Sequence, residues 1–251
     1  MSQQFPSSWL PPDLGTDPGA LDEIMQAMAA RKERLMKLPV QRIVDALDAT
    51  SRVWLEPENT RRDELVETIA ANTGVSPQMV AISIRLEMES SLGPHLLAAL
   101  KNEIGNPTYL DSFHTNSLLG GETCALGPGL VGGIVSSNIP ALPHLTVMRS
   151  LLVKAPCVVK SSRDEPLFLP AYLQSLWEVD SEVGGCAAAG SFGREQTALL
   201  DTFLSGIDLL IAYGRRDAIA PLGQHLPDAS RALYNGHKQV LGTVHAAPVG
   251  T

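Results

Sequence analysis

The chain has 251 residues, 44% hydrophobic and 18% charged, ordinary proportions for one large or two modest globular domains. Its formal net charge of -8 argues against nucleic acid as a main partner, although a local basic pocket for a phosphorylated cofactor stays allowed. Cys124, Cys157 and Cys186 show no CxxC spacing and the histidines form no HxxxH or HxH pair, so neither a disulfide framework nor a zinc site is expected.

No apolar run approaches the roughly 20 residues of a membrane span. The N-terminus lacks the basic start and apolar core of a signal peptide, so a cytoplasmic protein is the default expectation. Prolines and glycines crowd residues 1–20, which read as a flexible N-terminus. Residues 21–104 read as a helical region. Leu21, Ile24, Met25 and Met28 recur at helical spacing, and Pro39 precedes a segment with Val40, Ile43, Val44 and Leu47 on one face. Asn59 and Thr60 suit a cap and Gly74 a stop for a third helix. Ser76-Pro77 opens a fourth, ended by Gly93-Pro94, and a short helix follows through Leu96, Leu97 and Leu100.

Residues 105–129 are rich in Gly, Asn, Pro, Thr and Ser and read as a loop or an extended hairpin leaving the domain body. From Leu130 to the end, strands alternate with helices. The strands are expected at 130–136, 157–160, 185–189, 207–213 and 231–234; the helices at 143–153, 166–178, 196–204 and 216–225. Such alternation means a parallel, doubly wound sheet. The fold class is therefore α/β, a helical N-terminal region followed by a Rossmann-like parallel sheet.

In such sheets ligands bind outside the carboxyl ends of the strands. Asn138, in Ser-Ser-Asn-Ile-Pro, has an amide that can donate to a developing oxyanion, although the short motif alone reads more simply as a turn cap before Pro140. Lys160, Ser161, Ser162 and Arg163 follow the next strand and suit a ribose or a phosphate, the alternative being a solvated turn partly neutralised by Asp164 and Glu165. Gly214 ends the strongest strand and Arg215-Arg216 opens the next helix, a weak phosphate-loop signal. There is no GxGxxG and no Walker sequence, and Gly127-Pro128-Gly129 precedes its strand rather than following it. His237, in Tyr234-Asn235-Gly236-His237-Lys238, suits a base or a phosphate contact but more often such a His is structural. Cys157 and Cys186 lie among apolar or small residues, where thiols are usually inert.

Taken in order, Ser-Asn-Ile-Pro, Leu-Val-Lys-Ala-Pro-Cys-Val-Val-Lys-Ser-Ser, Ile-Ala-Tyr-Gly and Asn-Gly-His-Lys resemble the aldehyde dehydrogenase superfamily. The closer resemblance is to its acyl-CoA reductase branch, the LuxC-type fatty acyl reductases, over about residues 38 to 245. The resemblance implies that Asn138 is the oxyanion donor and that Lys160 contacts the adenosine ribose. It places Arg163 near the position where many NAD-preferring members carry a Glu, which implies NADPH as cofactor. Tyr234-Asn235-Gly236-His237-Lys238 stands where hydrolytic members carry a Glu-Leu-Gly-Gly-Lys element, and losing that Glu suits exchange with a thiol rather than with water. The implied substrate is an acyl thioester, CoA- or carrier-bound. The family's nucleophilic Cys would belong to a separate catalytic domain absent from these residues, so the chain is expected to be inactive alone. Alternatives are a truncated nucleotide-binding or interaction module, a nucleophilic role for Cys124 or Cys186, and a related oxidoreductase acting on another acyl or aldehyde substrate. A homo-oligomer is allowed; no membrane span or nucleic-acid partner is expected.

Overall fold

A computed structural model describes residues 17–116, 120–136, 140–193 and 195–236. Among the described residues the N-terminal region holds six helices: α1 (Pro18–Ala29), α2 (Lys32–Lys37), α3 (Val40–Leu55), α4 (Thr60–Thr73), α5 (Pro77–Ser90) and α6 (Gly93–Ile104). Their ends follow local chemistry. Asn59 accepts from the Arg62 backbone amide, and Gly74 closes α4 in the left-handed conformation at φ 73°. Ser76 caps α5 by accepting from Met79, with Pro77 in the first turn. The helix from Gly93 runs 12 residues, longer than its leucines alone suggest.

Beyond α6 a short ribbon pairs β1 (His114–Thr115) with β2 (Glu122–Thr123), antiparallel. The alternating part follows: β3 (Val131–Ile134), α7 (Pro143–Leu152), β4 (Cys157–Lys160), α8 (Phe168–Val179), α9 (Ser181–Gly184), β5 (Ala187–Gly190), α10 (Thr197–Ser205), β6 (Leu209–Tyr213), α11 (Arg216–Ile219) and β7 (Arg231–Asn235). The segment expected as one helix over 216–225 is α11 followed by a 3₁₀ stretch, Ala220–His225; Pro221 lacks the amide needed to continue the first turn. The small-residue strand begins at Ala187 rather than Gly185, because Gly184 and Gly185 still donate backward as the turn of α9 closes.

The five strands β3 to β7 form one sheet in the order β5-β4-β3-β6-β7, and every pairing in it is parallel. Helices cover both faces, so the strands are apolar on both sides. Cys157, Val159, Ala187 and Ala189 join the core shared with α3 to α8, whereas Val158 and Ala188 join α1 and α10 on the other face. Trp54 of α3 meets Phe168 of α8 edge-on at 5.3 Å and fixes the helical layer to the sheet's own helices.

The central strand is thinned to admit helices from both sides. A β-carbon on Gly132 would come within 2.6 Å of Ile207 and 3.1 Å of Phe203; one on Gly133 would come within 2.8 Å of Thr146. Gly127 and Gly129 also serve packing: β-carbons there would strike the Val153 carbonyl and the Asp208 carboxylate. Lys32 secures the same entry, donating to the Gly127 and Lys154 carbonyls at 2.9 Å each. Lys154 ends α7 at φ 55°, a costly conformation for a residue with a side chain. Its buried ammonium sits 2.6 Å from Asp111, which also accepts the first amide of α3 at 2.9 Å. Among the described residues no helix is long and apolar enough to cross a membrane.

Candidate functional site at the carboxyl edge of the sheet

Ile134, Lys160, Gly190 and Ala212 stand in register across the sheet. Because the strands are parallel, their carboxyl ends share one edge. The chain leaves β3 toward β4 and β5, then returns to place β6 on the other side of β3. That reversal is where an open α/β sheet forms a crevice. A cleft of about 800 Å³ lies at this edge, lined by residues following β3, β4, β5 and β6.

Not every residue of the Lys160–Arg163 turn faces it. Lys160, Ser162 and Arg163 line the cleft. Ser161 does not: its amide continues the ladder to the Gly190 carbonyl at 2.8 Å, its side chain is buried, and its Oγ has no hydrogen-bond partner among the described residues. Successive side chains point to opposite sides, so Ser161 turns inward where its neighbours turn out. Lys160 is 9% exposed, and its ammonium lies 4.9 Å from the centre of the Phe192 ring, a cation–π arrangement that holds its stem against the wall. Gly214 and Arg215 line the opposite side, beyond β6. The structure thus brings five of the six expected cofactor contacts to one cleft. Asn138, His237 and Lys238 lie outside the described residues, although Ser136 reaches the cleft wall.

The charges differ from the expected balance. Glu165 is not a partner for the turn: it is buried, and one carboxylate oxygen accepts from the Leu167 and Phe168 amides, which start α8. Burial pushes its pKa up while those two bonds oppose the shift. The counter-charges come from elsewhere. Arg163 Nη2 pairs with Glu195 Oε1, and Arg215 pairs with Asp217 at 3.1 Å. Bonds from its own backbone amide and from Arg163 hold the Glu195 carboxyl below the usual range. Lys160, Arg163 and Arg215 therefore face Asp164, Glu195 and Asp217 along the described lining, three cations against three anions. Phe192, Gly193 and Glu195 were not signalled by any motif. Their only sequence cue is position, since Phe192-Gly193 follows the small-residue strand as Gly214 follows β6.

Two of the three thiols are buried. Burial raises Cys157 to about 12 and Cys186 to about 11, and Cys186 Sγ donates to the Glu182 carbonyl at 3.1 Å. No cysteine is among the described residues of the lining, and no metal-ligating cluster occurs among the described residues.

The fold and the sequence both have relatives. A long-chain acyl-protein thioester reductase of Vibrio harveyi is 25% identical over 211 residues, covering 82% of this chain and 43% of its own length. The chain thus spans less than half of that relative. A glyceraldehyde-3-phosphate dehydrogenase of Methanocaldococcus jannaschii, solved with NADP, superposes with a TM-score of 0.68 at 12% identity, over 88% of this chain and 46% of that one. A salicylaldehyde dehydrogenase of Pseudomonas putida gives 0.68 at 16% identity, over 87% and 43%. These two likenesses establish an aldehyde dehydrogenase-like Rossmann-type fold. The family model described as acyl-CoA reductase (LuxC) matches residues 35–247, nearly the whole described fold. The chain belongs to the acyl-CoA reductase (LuxC) family.

Proposed function

We propose that this chain is the cofactor-binding part of a reductase that converts fatty acyl thioesters to aldehydes with NADPH. One observation carries the reading: Lys160, Ser162 and Arg163 converge at the end of β4, beside the crevice of a parallel sheet, in a chain of this family. The residues suit a dinucleotide. The cleft volume lies inside the usual ligand-site range of about 300–1,000 Å³. Gly193 and Gly214 leave backbone accessible at the wall, and the cations of the lining suit a ribose or a phosphate.

NADPH, when bound, supplies the hydride. Lys160, steadied against Phe192, donates to ribose hydroxyls. Ser162 and the forked guanidinium of Arg163 take the 2′-phosphate. Asn138 donates its amide to the oxygen of the reacting acyl carbon. The nucleophile is a cysteine outside these 251 residues, whose thiolate displaces the thiol of the thioester. The burial that raises the pKa of Cys157 and Cys186, and their absence from the described lining, support assigning the nucleophile elsewhere. The Vibrio harveyi relative's name speaks of a protein-bound thioester, which supports a carrier protein as well as CoA as the acyl donor.

Calorimetric titration of the chain with NADPH and NADH tests the reading. Tighter binding of NADPH is expected. Tighter NADH binding overturns the cofactor assignment, and no binding of either overturns the role. A second reading, a non-catalytic nucleotide-binding module, draws on the absence of cysteine from the described lining. Acyl-thioester reduction by a longer polypeptide that includes this chain would exclude it.

A further inference from the structure

The carboxylate of Glu195 and the guanidinium of Arg163 meet across the cleft, 32 residues apart in sequence. Both side chains are about two-thirds exposed, at 68% and 66%, so neither is held by burial. Gly193 makes the meeting geometrically feasible, because a β-carbon there would collide with the ends of both side chains. Asp180, by contrast, engages Arg42 while also capping α9 through two backbone amides, so its geometry is fixed independently of the ion pair. Among the described residues Glu195 receives no hydrogen bond from another residue's backbone that would fix it in the same way.

We propose that Glu195 is a specificity-determining residue of this cleft: it competes with the anionic group of the cofactor for Arg163. The inference rests on the nucleotide reading above. A 2′-phosphate carries roughly −1.5 to −2 charges. To reach the Arg163 fork it must displace a carboxylate that is ionised at neutral pH, and it then lies beside that carboxylate. An exposed ion pair of this kind is exchanged readily, so the competition tunes affinity without blocking the site. An unphosphorylated ribose makes no demand on Arg163 and meets no such competitor. Glu195 therefore narrows the preference for NADPH that Arg163 would otherwise confer.

The test is calorimetric titration of the 251-residue chain and its Glu195→Gln variant with NADPH and with NADH. Glutamine keeps the shape and removes the charge. Binding of NADPH should tighten by about fourfold, the order set by no longer having to break one exposed ion pair before the phosphate engages the guanidinium. Binding of NADH should change less than twofold. In an Arg163→Gln background the gain for NADPH should shrink below twofold, since the competition acts through the guanidinium. Unchanged NADPH affinity in Glu195→Gln overturns the inference and leaves the cofactor reading intact. Loss of NADH affinity with NADPH unaltered also overturns it, because Glu195 would then be an acceptor for ribose hydroxyls. A gain that persists in the Arg163→Gln background overturns the proposed route. Failure of the parent chain to bind either nucleotide removes both this inference and the reading beneath it.

Discussion

Two groups of ion pairs, one at the helical layer and one at the cleft, use the same residue types to opposite ends. At the helical layer, Arg42, its side chain 42% exposed, meets Asp180 at 2.7 Å and Glu182 at 2.7 Å, while Asp180 also caps α9; Lys154 is buried against Asp111. Asp180 and Asp111 each have a second task, holding a helix start, so their pairs cannot be exchanged without loosening the backbone. At the cleft, Arg163–Glu195 and Arg215–Asp217 are exposed pairs. They contribute little to stability and cost little to break. The difference separates charge used to assemble the fold from charge kept available for a ligand.

Four measurements would break or sharpen this contrast. Asp111→Ala should cost the most, about 3 kcal/mol by denaturant titration, because it leaves the buried Lys154 ammonium without its carboxylate and the α3 amide without its acceptor. A loss below about 1 kcal/mol would mean that the buried pair is no more than a surface contact. Arg163→Glu should leave stability within about 0.5 kcal/mol but weaken NADPH by roughly 10- to 100-fold, the range of a charge-assisted hydrogen bond lost. NADPH affinity equal to that of the parent chain would count against the cofactor assignment.

Asp180→Asn should cost about 1–2 kcal/mol at neutral pH, combining a weakened cap with a screened ion pair. The pH dependence has a definite sign. Burial raises the Asp180 carboxyl, but the Arg42 guanidinium and the Val183 and Glu182 amides outweigh it and hold the pKa below its usual value. Its stabilisation is therefore complete above the unfolded value of about 3.9 and is lost as pH falls through the lower folded value. Denaturation midpoints followed from neutral pH to pH 2 should fall less steeply in the variant; parallel curves would show that Asp180 does not carry this dependence. The smallest effect belongs to Arg215→Gln, with stability changed by less than about 0.5 kcal/mol and NADPH affinity by less than about threefold. A larger loss of affinity would move Arg215 from the rim of the site to its centre.

The parts of this molecule that local chemistry decides were legible in the sequence. Asn59 and Gly74 bound α4, Ser76-Pro77 opens α5, and Ile207 to Tyr213 contains β6, because caps, stops and short apolar runs act over a few residues. The Lys160–Arg163 turn was found because it follows a strand that reads clearly. What escaped depended on partners distant in sequence or on very short signals. No pattern joins Arg163 to Glu195, and Glu165 looked like a neighbour of the turn until its carboxylate proved to start α8. Helix α9 spans four residues, too few for a periodic signal, and β5 is three alanines and a glycine, with no β-branched residue to mark its start. Ser161 shows that naming a turn is not the same as naming which of its side chains face the ligand.

The paired glycines of β3 tie the histories of two helices to that of the strand. Thr146 rests over Gly133 from one face, and Phe203 and Ile207 close over Gly132 from the other. Enlarging residue 132 or 133 would require a matching loss of volume on the facing side, so substitutions here should travel in compensating sets across the sheet. A chain that acquired alanine at Gly132 should carry a smaller residue at 203 or 207, and one with alanine at Gly133 a smaller residue at 146 or 159. Within this family, the middle of the sheet would then evolve as two compensating sets of about three positions, one on each face, while the rim of the cleft remains free to change one residue at a time.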